Sequence, residues 1–416
     1  MKLFLLIIFS SSVITQGYTQ PKTDPWLDKL IRKQASPLLL EVLNQPDTFQ
    51  YQIIYTQINR DKNNQPQLKN FYLQVDKNRY FNPASMVKLP AALLALEKIH
   101  SLEQYGVNRN TTMITDSGYA RQTRVTNDST SANYLPSVAH YVKKIFLVSD
   151  NDAYNRLYEF TGQQTLNQRL WEMGYADTRI TRRFVTMNED QNRHTNPIRF
   201  MDDEKLLYAQ PAAASTLSFD FSKKYLIGKA HFNREDSLIN TPMDFTAHNN
   251  FPLEHMQQIL QAAIFPNTVS EKQRFHLTDD DYRFLYRYMS ELPSESHHPK
   301  YDTAEFFDSY TKFFLFKAGK SKIPPHIRVF NKTGWSYGFL IDVAYIVDFK
   351  NNVEFMVSGV IYVNKDGVLN DNKYEYEQTG YPFFKEIGNI IYQHELKRKR
   401  KHKPDLKAFQ FQYSND

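Results

Sequence analysis

Strand-forming residues in this 416-residue chain gather at its two ends. Near the start, "FQYQIIYTQINR" (49–60) and "LKNFYLQV" (68–75) alternate and are rich in Tyr, Ile, Phe and Val; the polar link "DKNNQPQ" joins them as a hairpin. Strand chemistry returns only in "HIRVFNKTGWSYG", "LIDVAYIVDF" and "VEFMVSGVIYV", with "NKTG", "KNN" and "NKDG" as turn signals. Between them the periodicity is mainly helical, as in "LPSVAHYVKKIFLVS" and "DDDYRFLYRYMSEL". Helical patterns also open and close the chain, in "DPWLDKLIRKQASPLLLEVLNQ" and "YPFFKEIGNIIYQHEL". This order predicts an α+β fold: one antiparallel sheet built from both chain ends, flanked by helices, with a large helical subdomain inserted. The expected domain runs over 24–397, its sheet-bearing part being 24–84 and 320–397 and its helical part 85–319.

The first residues, "MKLFLLIIFSSSVITQGYTQ", carry a positive charge, a short apolar stretch and then small and polar residues. That layout predicts a secretory signal over 1–19 and export to the periplasm or the medium, with no transmembrane helix after cleavage. The chain has no cysteine, which excludes disulfides, thiol catalysis and thiolate metal sites. Its net charge of +6 is partly local to "HELKRKRKHKP" at 394–404, so residues 398–416 are expected to form a solvated basic tail. The alternative use of that charge is an anionic envelope surface. The run has no interleaved aromatics, which argues against nucleic acid. His297 and His298 lack a carboxylate at ligand spacing, and no phosphate-cradling loop is present, so no metal or organic cofactor is expected.

One apolar helix raises a chemical question. "FNPASMVKLP" leads into "AALLALEKIH", with Asn82 as a cap and Pro83 in the first turn. Ser85 and Lys88 lie three residues apart there and so share a face. A serine hydroxyl needs a base, and a lysine serves only when neutral, which burial in an apolar helix head and a second nearby cation would favour. Two further triplets accompany this pair: Ser149-Asp150-Asn151 opens a helix, and Lys332-Thr333-Gly334 sits on the first returning strand.

Together, in this order, the three sets resemble those of class A β-lactamases and, more widely, the penicillin-recognising serine hydrolase superfamily. The resemblance extends over most of the chain after the signal, including "LPSVAHYVKKIFLVSDNDAYNRLYEFTG" and "TLNQRLWEMGYADTRITR". It implies a β-lactamase/transpeptidase-like fold, Ser85 as nucleophile, Lys88 as its base and Ser149 as proton relay to a leaving nitrogen. It further implies that Asn151 holds Lys88 and the substrate amide. Lys332 and Thr333 would bind a substrate carboxylate, and Gly334 would let a ligand lie close against the strand. Trp335 and Ser336 continue that edge, with the N–H groups of Ser85 and Trp335 as an oxyanion hole. Extra length relative to the family falls around 198–245 and in "SELPSESHHPKYDTAEFFDS".

In one place the chain departs from the pattern. Members of the family deacylate with a glutamate on an omega loop, here "TRITRRFVTMNEDQNRHTNP", and the matching position holds Phe184, or Val185 after a shift of one. Glu189 could replace the base if the loop is rebuilt; the competing reading makes Glu189 and Asp190 surface charges. The resemblance thus implies a serine hydrolase acting on β-lactam or related amides, with antibiotic resistance as the associated role. Two alternatives remain: a D,D-peptidase or esterase-like relative acting on cell-wall peptides, and a non-catalytic module that binds wall fragments.

Overall fold

The structure, a computed structural model, describes residues 20–413; the expected signal over 1–19 lies outside the described residues, as do residues 414–416. Five strands form the main sheet: β1 (Gln52–Arg60), β2 (Pro66–Leu73), β3 (Ile327–Ser336), β4 (Phe339–Asp348) and β5 (Val353–Tyr362). Their order is β3-β4-β5-β1-β2, antiparallel throughout, so the two chain ends meet where β1 pairs with β5 at Gln52↔Val360. The principal helices are α1 (Pro25–Arg32), α2 (Lys88–His100), α3 (Val138–Val148), α4 (Asn151–Thr161), α5 (Leu253–Ile264), α6 (Asp279–Ser290) and α7 (Tyr381–Lys397). This is the α+β arrangement expected.

The period-2 alternation of β1 divides the core. Ile53 and Tyr55 face a cluster formed with Leu27 and Ile31 of α1 and Ile387 and Ile391 of α7. Ile54 and Ile58 face the opposite cluster, with Leu89 and Leu93 of α2 and Ile259 and Leu260 of α5. Strands β4 and β5 are buried along their whole lengths, which accounts for their nearly continuous apolar sequences. Helix α2 is buried on almost every side, as an Ala- and Leu-rich helix without a polar face must be. Among the described residues no helix is long and apolar enough to cross a membrane.

Three expectations are corrected. "NKTG" is not a turn: Asn331–Gly334 lies inside β3, and the chain reverses at Tyr337-Gly338, whose φ values of 53° and 83° suit a two-residue hairpin. The segment 85–319 is not purely helical either. Thr112–Thr115, Ile198–Asp202 and Lys205–Gln210 form a three-stranded sheet, and Ala230–Phe232 pairs with Leu238–Ile239 and with Val368–Leu369. These strands are short and one partner lies far along the chain, so local periodicity carries little trace of them.

The third correction concerns residues 398–413, which form no free tail. Arg398 donates to Glu395 at 2.8 Å, to Asn59 at 2.6 Å and to the Ile58 carbonyl at 2.8 Å. Arg400 and the Tyr55 hydroxyl also donate to the buried Glu395 carboxylate. Leu406 and Phe409 then enter the core, the Phe409 ring lying 4.9 Å from Tyr345. Lys397, Lys399, Lys401 and Lys403 stay exposed while the intervening arginines are drawn inward. Removing the shared carboxylate leaves two poorly solvated guanidinium groups. Glu395→Ala should therefore cost about 3–5 kcal/mol in urea unfolding and open Lys397–Lys403 to trypsin; a digest as slow as that of the unsubstituted protein would refute this anchoring.

Candidate active site

Asn82, Pro83 and Gly334 together set the position of Ser85. Asn82 accepts the Ala84 N–H at 2.9 Å, and Ala84 takes a left-handed φ of 45° as the chain turns into a 3-10 helix over Ala84–Val87. Pro90 therefore does not kink a running helix; it sits in the first turn of α2, where its missing N–H is not needed. The turn packs onto β3 so closely that a Cβ at Gly334 would lie 2.8 Å from the Pro83 carbonyl and 3.0 Å from the Ser85 nitrogen. Gly334 thus makes room for the turn that carries Ser85, where a ligand was expected. Ser85 is left half-exposed, with Met86, Val87 and Lys88 buried behind it.

The Lys88 amine is fully buried and lies within hydrogen-bond distance of three oxygens: the Ser149 carbonyl at 2.5 Å, Asn151 Oδ1 at 2.7 Å and Ser149 Oγ at 3.3 Å. The joint between α3 and α4 aims those acceptors. Ser149 closes α3 in a left-handed conformation (φ 62°), and Asp150 caps α4 by accepting the Ala153 N–H at 2.8 Å. From the other side Lys332 donates to Ser149 Oγ at 2.8 Å and to the Thr333 carbonyl at 2.7 Å. One hydroxyl therefore bridges two lysines.

Burial, followed by the Lys332 charge, pushes Lys88 well below the ordinary lysine range, against a smaller pull from Asp150. Burial lowers Lys332 to about 7, with Asp342 opposing and Lys312 reinforcing the shift. Those last two groups lie behind the strand, bridged by Asn331, which accepts from Lys312 at 2.7 Å and donates to Asp342 at 2.8 Å.

The site opens into a cavity of about 1420 Å³ that Ser85, Ser149, Asn151, Trp335 and Ser336 help to line. Hydrogen-bonded pairs alternate along an antiparallel ladder; counting back from the hairpin turn, Trp335 N–H points to the free edge of β3. The Thr333 carbonyl, two residues earlier, shares that edge, consistent with its bond to Lys332. Thr333 itself does not meet expectation: it is fully buried, its hydroxyl finds no partner among the described residues, and it does not line the cavity.

Glu189 also lies away from the cavity. Asn188 caps the short helix Glu189–Arg193, and this turns Glu189 outward into an ion pair with Arg193 at 2.8 Å. Phe184 does line the cavity, its ring centroid 5.0 Å from Lys88 Nζ and 4.8 Å from the Tyr154 ring. The loop carrying it is anchored by a buried ion pair, Arg183 to Glu159 at 2.9 Å, with Arg156 on the other carboxylate oxygen at 3.1 Å.

Sequence reasoning missed part of the cavity. Residues 231–236, in the Ala230–Ile239 hairpin, and Asn370, Asn372, Tyr374 and Tyr376 line its far wall. Pairing of Val368–Leu369 with Ala230–His231 brings them together. The surplus length at 198–245 was the one available signal, and it did not indicate where the segment would pack.

Residues 33–226 match a family model described as the β-lactamase enzyme family; Ser85, Lys88, Ser149 and Asn151 fall inside the match and Lys332-Thr333-Gly334 outside it. No curated protein matches. Among solved structures the chain is similar to a β-lactamase from Sphaerobacter thermophilus, at 12% identity and TM-score 0.46, over 86% of this chain and 96% of that one. It is also similar to a β-lactamase from Xanthomonas campestris pv. campestris, at 14% identity and TM-score 0.48, over 88% and 97%. A third, from Burkholderia vietnamiensis, has 12% identity and TM-score 0.44, over 88% and 94%.

Gly334→Ala tests the packing of the Ser85 turn. The added methyl meets backbone atoms that cannot rotate away, so a loss of about 1–3 kcal/mol in thermal unfolding is expected. Unchanged stability would mean that the turn and β3 do not approach as described.

Proposed function

We propose that this chain, whose residues 33–226 match the β-lactamase enzyme family model, is an exported class A-like serine hydrolase acylated at Ser85 by β-lactam or related amide bonds. The observation that carries this reading is the fully buried Lys88 amine, held by Ser149 and Asn151 three residues from a half-exposed serine. In that environment the amine is neutral at a pH where an exposed lysine is charged.

Neutral Lys88 takes the Ser85 proton as Oγ attacks the carbonyl carbon. The N–H groups of Ser85 and Trp335 receive the developing oxyanion. The proton leaves Lys88 through the Ser149 hydroxyl for the departing nitrogen, and the C–N bond breaks to give an ester on Ser85. Asn151, with Oδ1 on Lys88, keeps its NH₂ for the substrate amide.

Hydrolysis of that ester needs an activated water, and the wall beside Lys88 offers the Phe184 ring in place of a carboxylate. Loss of a general base costs about 10²–10⁴-fold, so the acyl-enzyme should be long-lived. This favours as second reading a D,D-peptidase or esterase-like relative acting on cell-wall peptides, whose own acceptor would complete the turnover.

Intact mass spectrometry of the protein mixed with a penicillin decides. A stoichiometric adduct is expected on the unsubstituted protein and none on Ser85→Ala; Lys88→Ala should slow its appearance by about 10²–10⁴-fold. An adduct of equal yield on Ser85→Ala would dismiss the reading. The pH profile supplies a separate check. The active form is the neutral amine, present above its pKa, and that pKa is depressed. Acylation should accordingly reach its plateau well below the ordinary lysine range and fall on acidification; a rate still climbing through that range would contradict it.

A further inference from the structure

Three arginines lie close together on the loop beside the nucleophile, and two are engaged in holding it. Arg179 donates to the carbonyls of Thr246 at 2.5 Å, Asp220 at 2.9 Å and His248 at 3.2 Å. Arg183, almost wholly buried, binds Glu159 and the carbonyls of Gln191 at 3.1 Å and His194 at 2.6 Å. Arg182 differs. It is half-buried and lines the cavity that holds Ser85, and its guanidinium has no ion pair or hydrogen bond among the described residues. Phe184, two residues on, is the residue whose ring meets Lys88, and both Arg182 and Phe184 line the cavity that Ser85 lines.

Asp150, Glu235 and Asp236 share the cavity wall with Arg182, and none is within ion-pair distance of it among the described residues. Asp150 caps α4 and lies 3.8 Å from Lys144. Glu235 and Asp236 belong to the exposed hairpin tip, next to Arg234. His248, also on the cavity wall, stays neutral, since burial and then the Arg182 charge push it down to about 3. The groups that the family resemblance assigns to a substrate carboxylate are meanwhile withdrawn. Thr333 is off the cavity, and the Lys332 amine is occupied by Ser149 and the Thr333 carbonyl. A guanidinium on a cavity wall without a counter-ion keeps its donors free for a bound anion. Guanidinium matches carboxylate geometry through two parallel hydrogen bonds.

We propose that Arg182 is the anion-recognition residue of the Ser85 cavity, and that the acyl donor bears a carboxylate seated on its guanidinium. This rests on reading Ser85 as the nucleophile. The test compares acylation by benzylpenicillin and by its methyl ester, which lacks only the negative charge, in the unsubstituted protein, Arg182→Gln and Arg182→Lys. The quantity read is the ratio of second-order acylation rates, acid over ester, from intact mass. Loss of one charge-assisted contact corresponds to roughly 10–100-fold, so the ratio should fall by that factor in Arg182→Gln and recover in part in Arg182→Lys. If Ser85 is acylated by both compounds and the ratio does not move, the Arg182 assignment is overturned and the nucleophile stands. If neither compound acylates the unsubstituted protein, the reading of Ser85 fails and this one falls with it.

Discussion

A lysine amine removed entirely from water must find acceptors, and Lys88 finds them on a helix joint that is remote in sequence. That requirement organises the molecule. The 3-10 turn that carries Ser85 has to end where α2 can point the amine at the α3–α4 joint. That joint in turn has to reverse within one left-handed residue, Ser149. The third element, β3, brings Lys332 to the same hydroxyl and approaches the Ser85 turn so closely that only glycine fits at 334. Helix packing and sheet edge thus converge on one serine oxygen with a lysine on either side.

The same burial that depresses the amines isolates them from most titratable groups that would restore their charge. Asp150 acts on Lys88 only weakly compared with desolvation, and Asp342 reaches Lys332 from behind the strand. Phe184 adds to this dry surrounding. A carboxylate in its place would draw Lys88 back toward its charged form as well as supply a base for water. The aromatic ring brings neither a charge nor a base to Lys88, two consequences of a single side chain.

The far wall of the cavity shows what the inserted length does. Residues 231–236 and 370–376 are distant in the sequence and meet through a two-residue parallel pairing, Val368–Leu369 on Ala230–His231. They convert an open edge of the sheet into the wall of a cavity. The C-terminal segment performs the corresponding task at the other end of the sheet, where Glu395 gathers Arg398 and Arg400 and lets Phe409 close over Tyr345.

Local order was open to reading from residues alone wherever the determining contacts are near in sequence. The apolar character of β4 and β5, the Asn82 cap and the spacing of Ser85 and Lys88 on one turn are all short-range facts. So was the replacement of the expected omega-loop glutamate by Phe184. The misreadings share an opposite cause. Glu189 was turned outward by a helix cap at Asn188, and the basic run was pinned by a carboxylate on α7 and the edge of β1. Gly334 was reserved for backbone 250 residues away, and Thr333 was buried by the elements around β3. Composition and spacing determined that a hydroxyl and an amine stand together in an apolar helix head. Only tertiary packing decided whether that amine loses its charge and which cation faces the cavity, because desolvation and close approach depend on groups that the chain brings together from distant positions.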